Sequence, residues 1–407
     1  MSLSASHPPH WRRMKLKYLA SLKSGESITS EDITPEGLFA VYGGNGIRGY
    51  TNACTHNGHF PLIGRQGALC GNVNYASGAF WASEHAVVVD SKGRADVRWL
   101  GELLMSMNLN QYSQAAAQPG LAVDVIANLE IHVPPLAEQQ AIAAFLDRET
   151  GRLDALVAAK QRLLEVLAEK RRALITHAVT RGVDPNAPLR ESGVPWLGQI
   201  PAHWAVRPLK YMVRMTSGAT PPTDKEELWG GDIPWVSPKD MKREEIGDAE
   251  EHVSATALES GPLRMIEPGA VLVVVRGMIL AHSFPSAVSV KPVTINQDMK
   301  ALHCDDRLSP TYLKCLFRGL EKVIVSFVDS AAHGTRKLES EVLGRFELCV
   351  PPLAEQQAIV AHIHAQTARI DALRAATERT LELLKERRQA LITAAVTGQL
   401  AIEEVAA

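Results

Sequence analysis

With 46% hydrophobic and 22% charged side chains over 407 residues, the composition is that of an ordinary soluble protein with two or three domain cores. A net charge of −2 excludes a nucleic-acid binder driven by bulk positive charge, while leaving room for a local basic face. No apolar run approaches a membrane span, and five scattered cysteines (Cys54, Cys70, Cys304, Cys315, Cys349) do not suggest a disulfide framework. The N-terminal MSLSASHPPHWRRM has no apolar signal core, so a cytoplasmic protein without membrane contact is expected.

In chain order, residues 1–133 contain a first variable domain. Short apolar runs at 38–42 and 86–89, punctuated by Gly and Asn, predict strands and tight turns, and 97–109 predicts a helix. Residues 134–201 hold a long helix followed by a Pro- and Gly-rich linker at 181–201. Residues 202–350 contain a second variable domain, with strands at 271–275 and 346–350 and a helix at 309–320; residues 351–407 hold a second long helix and a short tail.

The two long helices are copies of one unit. Residues 134–180 align without a gap to residues 351–397 and agree at roughly 30 of 47 positions. Tandem prolines open each copy, Glu138 and Glu355 occupy the first turn, basic residues crowd the last turns, and Gly182 and Gly398 stop them. Leu146, Leu153, Leu156, Leu163, Leu167 and Leu174 fall on heptad a and d positions, with Ile363, Ile370, Leu373, Leu384 and Leu391 in the second copy. Each copy is thus a helix of about 40 residues, and each is the other's obvious partner. Lys160 and Thr377 interrupt the seam at the same point and would fix its register. The predicted fold class is α+β: two small α/β heads separated by two long helices that pair as an intramolecular antiparallel coiled coil, with a pseudo-twofold repeat.

A weaker repeat precedes each helix. His10-Trp11, Leu16-Lys17-Tyr18 and Ser24-Gly25 recur as His203-Trp204, Leu209-Lys210-Tyr211 and Ser217-Gly218, at an offset of 193 rather than 217. Helix length is held while head length varies, as a spacer carrying two different binding heads requires.

Catalytic motifs are missing: there is no Asn/Asp-Pro-Pro-Tyr/Phe of an amino-methyltransferase, no phosphate-binding GxxxxGK[ST], and no nuclease carboxylate pair with a lysine. Residues 44–49 spell GxGxxG, yet no helix follows, so a turn or hairpin is the better reading. Cys54, His56, His59 and Cys70 match no standard zinc spacing, and no metal site is expected.

The doubled PPLAEQQ…ALIT.AVT block, the linker SGVPWLGQIP at 192–201, and YGGNGIRGY (42–50), IGRQGALCGNV (63–73) and QPGLAV (118–123) resemble the specificity subunits of type I restriction-modification systems. IPWVSPKDM (233–241), PGAVLVVVRG (268–277), INQDMKAL (295–302) and HGTRKL (333–338) resemble a different recognition-domain type of that family. The N-terminus is shorter than the lead-in before residue 203. The resemblance implies a non-catalytic subunit whose two target-recognition domains each read half of a bipartite, asymmetric double-stranded DNA target. It further implies that the helices set the spacing and dock two DNA methyltransferase subunits, which restriction subunits then join. S-adenosylmethionine, ATP and Mg would belong to those partners, and this chain would hold no cofactor.

Base readout needs side chains offering two hydrogen bonds in fixed geometry, with small residues letting the backbone approach phosphate. Such groups gather on predicted loops of the first head at Asn45, Arg48, Tyr50, Arg65, Gln66, Asn72, Asn74 and Gln118. In the second they gather at Ser217, Thr220, Ser237, Lys239, Arg276, Asn296, Gln297, Thr335, Arg336 and Lys337. The alternative is a non-catalytic coiled-coil scaffold whose heads bind protein partners.

Overall fold

The computed structural model describes residues 7–67, 69–113, 120–330 and 336–402. These fall into two compact units, Met1–Gln161 with Glu378–Ala407, and Arg162–Thr377. Each unit therefore holds one head and a stretch of both long helices. The helices run Leu136–Arg181 and Leu353–Val396, 46 and 44 residues, somewhat longer than the sequence suggested. Gly182 (φ 77°) and Gly398 (φ 72°) take the left-handed conformation that ends a helix, their N–H groups donating to the Ala178 and Ala395 carbonyls at 3.1 and 3.3 Å.

The stretches are antiparallel within each unit. In the first unit Arg388 Nε donates to Asp154 at 3.1 Å, and Ile142 and Leu146 share a core with Ile392, Ala395 and Val396. In the second, Arg171 Nε donates to Asp371 at 3.1 Å, and Ile175 and Val179 share a core with Ile359 and Ile363. One heptad series lies as predicted: Leu146, Leu153, Leu167, Ile363, Ile370 and Leu384 are buried, and Leu174 and Leu391 are half-buried. Thr377, also buried, donates to its own helix at the Leu373 carbonyl, 2.8 Å away.

The other series differs from the expectation. Leu156 and Leu373 do not belong to the seam, being 43% and 47% exposed, and Leu163 is only half-buried at its edge. The inward positions lie three residues before and four after the members of the Leu146 and Ile363 series, at Ala143, Thr150, Val157, Leu164, Arg171 and Ala178, and at Val360, Thr367, Arg374, Leu381, Arg388 and Ala395 in the second copy. Several of these are small or polar, so counting leucines selects the neighbouring stripe. Thr150, buried, meets its hydroxyl's need by donating to the Leu146 carbonyl at 2.7 Å.

The base of each head repeats more closely than its sequence. Arg12–Lys15 pairs antiparallel with Glu130–Val133, and Ala205–Pro208 pairs in the same register with Glu347–Val350. Trp11 Nε1 donates to Glu138 Oε1 at 2.9 Å, and His10 Nε2 lies 2.9 Å from Oε2; Trp204 and His203 hold Glu355 at 3.0 and 2.8 Å. The next residue of each helix works likewise. Gln139 accepts the Asp96 N–H and donates to the Pro134 carbonyl, while Gln356 accepts the Ser309 N–H and donates to the Pro351 carbonyl. The short N-terminal lead-in thus ends in the same clamp as its longer counterpart.

Above these bases the heads diverge. The first contains a six-stranded sheet in the spatial order Ser21–Ser24, Ala86–Asp90, His56–Gly64, Val73–Ala82, Phe39–Gly43, Gly46–Thr51. Residues 43–46 close a hairpin, which accounts for the glycine pattern at 44–49; a Cβ on Gly64 would lie 1.9 Å from the Gly44 carbonyl oxygen, so only glycine fits there. The second head contains a five-stranded sheet, Val213–Ser217, Met299–Cys304, Val271–Val274, Ser286–Ser289, Glu245–Ile246, and a three-stranded one, Glu251–Val253, Trp229–Val236, Thr294–Ile295. The predicted helices are Val97–Ser106 and Pro310–Gly319. The linker proves ordered: Leu189–Glu191 pairs with Gln199–Pro201, and Trp196 stacks on Phe346 at 5.2 Å.

Ionic clusters fasten each head to its helices. Arg98 of the first head meets Glu102 at 2.8 Å and Asp147 of the long helix at 3.1 Å; burial raises the Glu102 carboxyl above its usual range, against the pull of Arg98. In the second head the buried Lys314 meets Glu244 at 2.9 Å, with Arg171 and Arg318 each 3.6 Å from the other Glu244 oxygen. Burial opposes Glu244 ionisation, but the Lys314 hydrogen bond and the Lys314, Arg318 and Arg171 charges outweigh it and lower its pKa.

Candidate nucleic-acid interface

In the first head the hairpin tip carries Asn45, whose Oδ1 accepts from Asn72 Nδ2 at 3.0 Å. Asn45, Asn72 and Asn74 line a cavity of about 230 Å³ together with Asn108 and Asn110, which the sequence analysis missed. Asn108 adopts φ 47°, a left-handed geometry that asparagine tolerates, and this turns the chain out of the Val97–Ser106 helix. The Arg48 side chain lies across Gly43, and Arg48 is exposed, as is Tyr50 at its margin. Arg65 donates to Ser24 Oγ at 3.3 Å, and its backbone is held between His85 and Leu121; Gln66 is exposed and bridges Gly120. Gln118 lies outside the described residues.

In the second head, loops from separate elements converge. Gly277 N donates to the Arg336 carbonyl at 3.0 Å, Leu338 N to the Val275 carbonyl at 2.9 Å, and Arg276 bridges Lys337. Lys300, also missed from sequence, donates to Ser217 Oγ at 2.9 Å; burial first, and then the Lys337 charge, lower its pKa against the pull of Glu339. Thr220 donates to Gln297. Arg276, Lys300, Arg336 and Lys337 thus stand against Glu339, which pairs with Lys337, and Asp298, whose carbonyl accepts the Val275 and Arg276 N–H groups.

Two of the predicted positions, Asn296 and Ser237, serve the fold, while Lys239 is exposed. Asn296 is 6% exposed and its Oδ1 accepts the Asp298 N–H, so it shapes the loop instead of presenting an amide outward. Ser237 gives both its N–H and hydroxyl to Asp240, and Lys239 pairs with Glu251 at 3.7 Å. Thr335 lies outside the described residues.

His56 stacks on Phe80 and His59 bonds Ser77 at 2.6 Å, while Cys54 is exposed and Cys70 buried. Among the described residues, no three His, Cys, Asp or Glu side chains gather as a metal site, and no helix is long and apolar enough to cross a membrane.

Comparison with known proteins places this architecture. The chain is similar to the EcoprrI specificity subunit of Escherichia coli, a type I restriction enzyme, with 43% identity over 141 residues, 34% of this chain and 35% of the relative. It is 33% identical over 144 residues to the EcoR124I/EcoR124II specificity subunit of the same organism, covering 35% and 36%. These matches span about a third of each relative's length. The fold is shared with a chain from a type I R-M system studied for complex assembly and conformational transition (TM-score 0.74, 19% identity, 97% of this chain and 100% of that one). It is shared also with the HsdS subunit from Thermoanaerobacter tengcongensis (TM-score 0.56, 19% identity, covering 98% and 99%). A single family model matches both halves of the repeat, residues 8–166 and 201–383, and the chain therefore belongs to the type I restriction modification DNA specificity domain family.

Proposed function

We propose that this chain is the DNA-recognition subunit of a type I restriction-modification complex, each head reading one half of a bipartite, asymmetric target. The observation that carries this is the pairing of two unlike heads with one repeated base: the same ribbon and His-Trp-Glu clamp occur beneath sheets of different topology. Unlike heads suit two different half-sites, and the repeated base and helices suit a partner that binds twice. On this reading the helices set the gap between half-sites and dock two methyltransferase subunits, and restriction subunits complete a cytoplasmic nuclease. S-adenosylmethionine, ATP and Mg act in those partners, and this chain contributes recognition without a catalytic step. Arg65 and Arg276 are the foremost base readers, since a bidentate arginine contact to guanine discriminates by about 1–3 kcal/mol. The test is to map methylated adenines in cells with and without the gene. A bipartite motif that vanishes with the gene supports the proposal, and an unchanged methylation pattern overturns it.

A further inference from the structure

The two heads, whose sheets differ, carry one exposed feature in common at their bases. A buried leucine opens a single helical turn in each, its N–H donating to the carbonyl just before the second strand of the base ribbon: Leu16 to Leu129 at 2.9 Å, and Leu209 to Phe346 at 3.0 Å. Two residues on stands a tyrosine turned to solvent, Tyr18 at 62% and Tyr211 at 63% exposed. The ammonium of the intervening lysine lies over its ring, Lys17 at 5.5 Å and Lys210 at 5.0 Å from the centroid. An arginine far along the chain holds the tyrosine carbonyl, Arg94 Nη1 to Tyr18 at 3.1 Å and Arg307 Nη2 to Tyr211 at 2.9 Å. The two arginines are equivalent, because two residues after each the N–H of Asp96 or Ser309 donates to Gln139 or Gln356 in the first turn of a long helix.

The fold does not call for these tyrosine side chains. The leucine fills the core and the arginine binds backbone, while neither phenol hydroxyl finds a hydrogen-bond partner among the described residues. One exposed residue taken singly needs no explanation. The same tyrosine, lysine and arginine beneath two unlike sheets point to a task that both heads share, and tyrosine and arginine are the usual anchors of protein interfaces.

That task is not base reading. The strand leaving each turn, Ser21–Ser24 or Val213–Ser217, leads away from the patch to the candidate DNA-reading end, where Ser24 accepts from Arg65 at 3.3 Å and Ser217 from Lys300 at 2.9 Å. Its neighbour returns, pairing Asp90 with Ser21 and Cys304 with Val213, so that Arg94 and Arg307 follow at the patch end. About 10–13 Å of strand thus separates each patch from the candidate base readers. The patch lies instead beside a long helix, and Gln356 Nε2 donates to the Arg307 carbonyl itself at 2.8 Å. Among the described residues Lys17 and Arg94 form no ion pair, and Arg307 pairs only with Asp305, so both patches keep a net positive charge.

We propose that Tyr18 with Lys17 and Arg94, and Tyr211 with Lys210 and Arg307, are two equivalent docking anchors for one protein partner bound in two copies, each copy presenting an acidic surface. The inference rests on the proposed docking of two methyltransferase subunits, and adds to the helices a contact at the base of each head.

The experiment titrates purified methyltransferase subunit into the full-length chain, with native mass spectrometry resolving complexes that hold one copy and two. Tyr18→Ala or Tyr211→Ala should weaken one of the two binding steps at least about tenfold and leave the other at its parental value, and the double variant should weaken both. Lys17→Glu and Lys210→Glu should act likewise, with the larger loss at low salt. Melting temperature checks folding, and the lysine variants, which alter only exposed side chains, carry the test if truncation of a tyrosine disturbs its turn. Parental affinity at both steps in every variant would overturn the inference. So would retention of both copies with weaker and less salt-dependent DNA binding by the assembled complex, because the patches would then grip phosphate. A parent chain that takes up no second copy would instead overturn the reading on which the inference rests, and the inference with it.

Discussion

Arg171 donates from Nε to Asp371 across the second unit at 3.1 Å, and Arg388 donates to Asp154 across the first at the same distance. Each arginine and each aspartate corresponds to the other by the 217-residue offset of the repeat, so one interhelical ion pair is used twice. All four groups are partly exposed. Asp154→Asn and Asp371→Asn should therefore each cost only about 0.5 kcal/mol, a shift of 1–2 °C for units of this size. Calorimetry at low and high salt checks this, and the effect of both should shrink together as salt screens the pair.

The clamp beneath each head is stronger. Glu138 and Glu355 each accept from an indole N–H, lie within hydrogen-bond distance of an imidazole, and sit at a helix N-terminus. Replacing either by Ala removes these contacts and the favourable dipole interaction, at a cost of about 2 kcal/mol. Hydrogen exchange should rise in the first turn of the helix beginning at Leu136 for one variant, and in that beginning at Leu353 for the other, each with its own Trp ribbon.

The seam assignment can be checked with two leucines three residues apart. Leu153→Ala deletes a buried side chain and should cost about 2–3 kcal/mol, whereas Leu156→Ala removes an exposed one and should cost under about 0.5 kcal/mol. Equal losses in denaturant unfolding would return Leu156 to the seam.

Acid should loosen the second head from its helices through Glu244. Its pKa is lowered in the folded protein, so its stabilising contribution is present above the ordinary value of 4.5 and fades as pH falls through the lower folded value. Glu102 acts in the opposite sense: its raised pKa means the folded state favours the proton, so its contribution is lost as pH rises through the folded value. Glu244→Gln should cost about 1–2 kcal/mol at neutral pH, less than a fully buried pair because its side chain is 39% exposed. It should also flatten the acid limb of the melting-temperature profile, and an unchanged limb would assign acid sensitivity elsewhere.

If the helices set the gap, lengthening both should lengthen it. One heptad inserted after Gln161 and another after Thr377 keeps the seam in register and adds about 10 Å. The gap in the methylated motif should grow by up to about three base pairs, at about 3.4 Å each, with both half-sites unchanged. Sequencing of methylated sites decides it.

The long helices, their stop signals and the doubled plan were legible in the sequence, because proline, glycine and a 3.5-residue period are local signals. The second seam stripe was not. Thr150, Arg171 and Ala178 face inward, and nothing local separates them from the more apolar neighbours that include Leu156. Glu138 could be read only as a first-turn acid, since Trp11 lies 127 positions away and their contact is tertiary. Asn108 and Asn110 hide behind an apolar helix, and Lys300 sits in a strand whose partner supplies Ser217. The arginines at 65 and 276 were visible, but the backbone contacts that hold them, Arg65 with His85 and Leu121 and Arg276 with Asp298, are tertiary.

The division of the helices between the units has a consequence for synthesis. The second unit is one continuous stretch and can close as soon as residue 377 has left the ribosome. The first cannot, because its core includes Ile392, Ala395 and Val396 packed with Ile142, Phe145 and Leu146. The head translated first is thus the one completed last. Until then Ile142, Phe145 and Leu146 lack the part of their core that Ile392, Ala395 and Val396 supply, and a nascent chain stalled before residue 390 should be a chaperone client through its oldest segment.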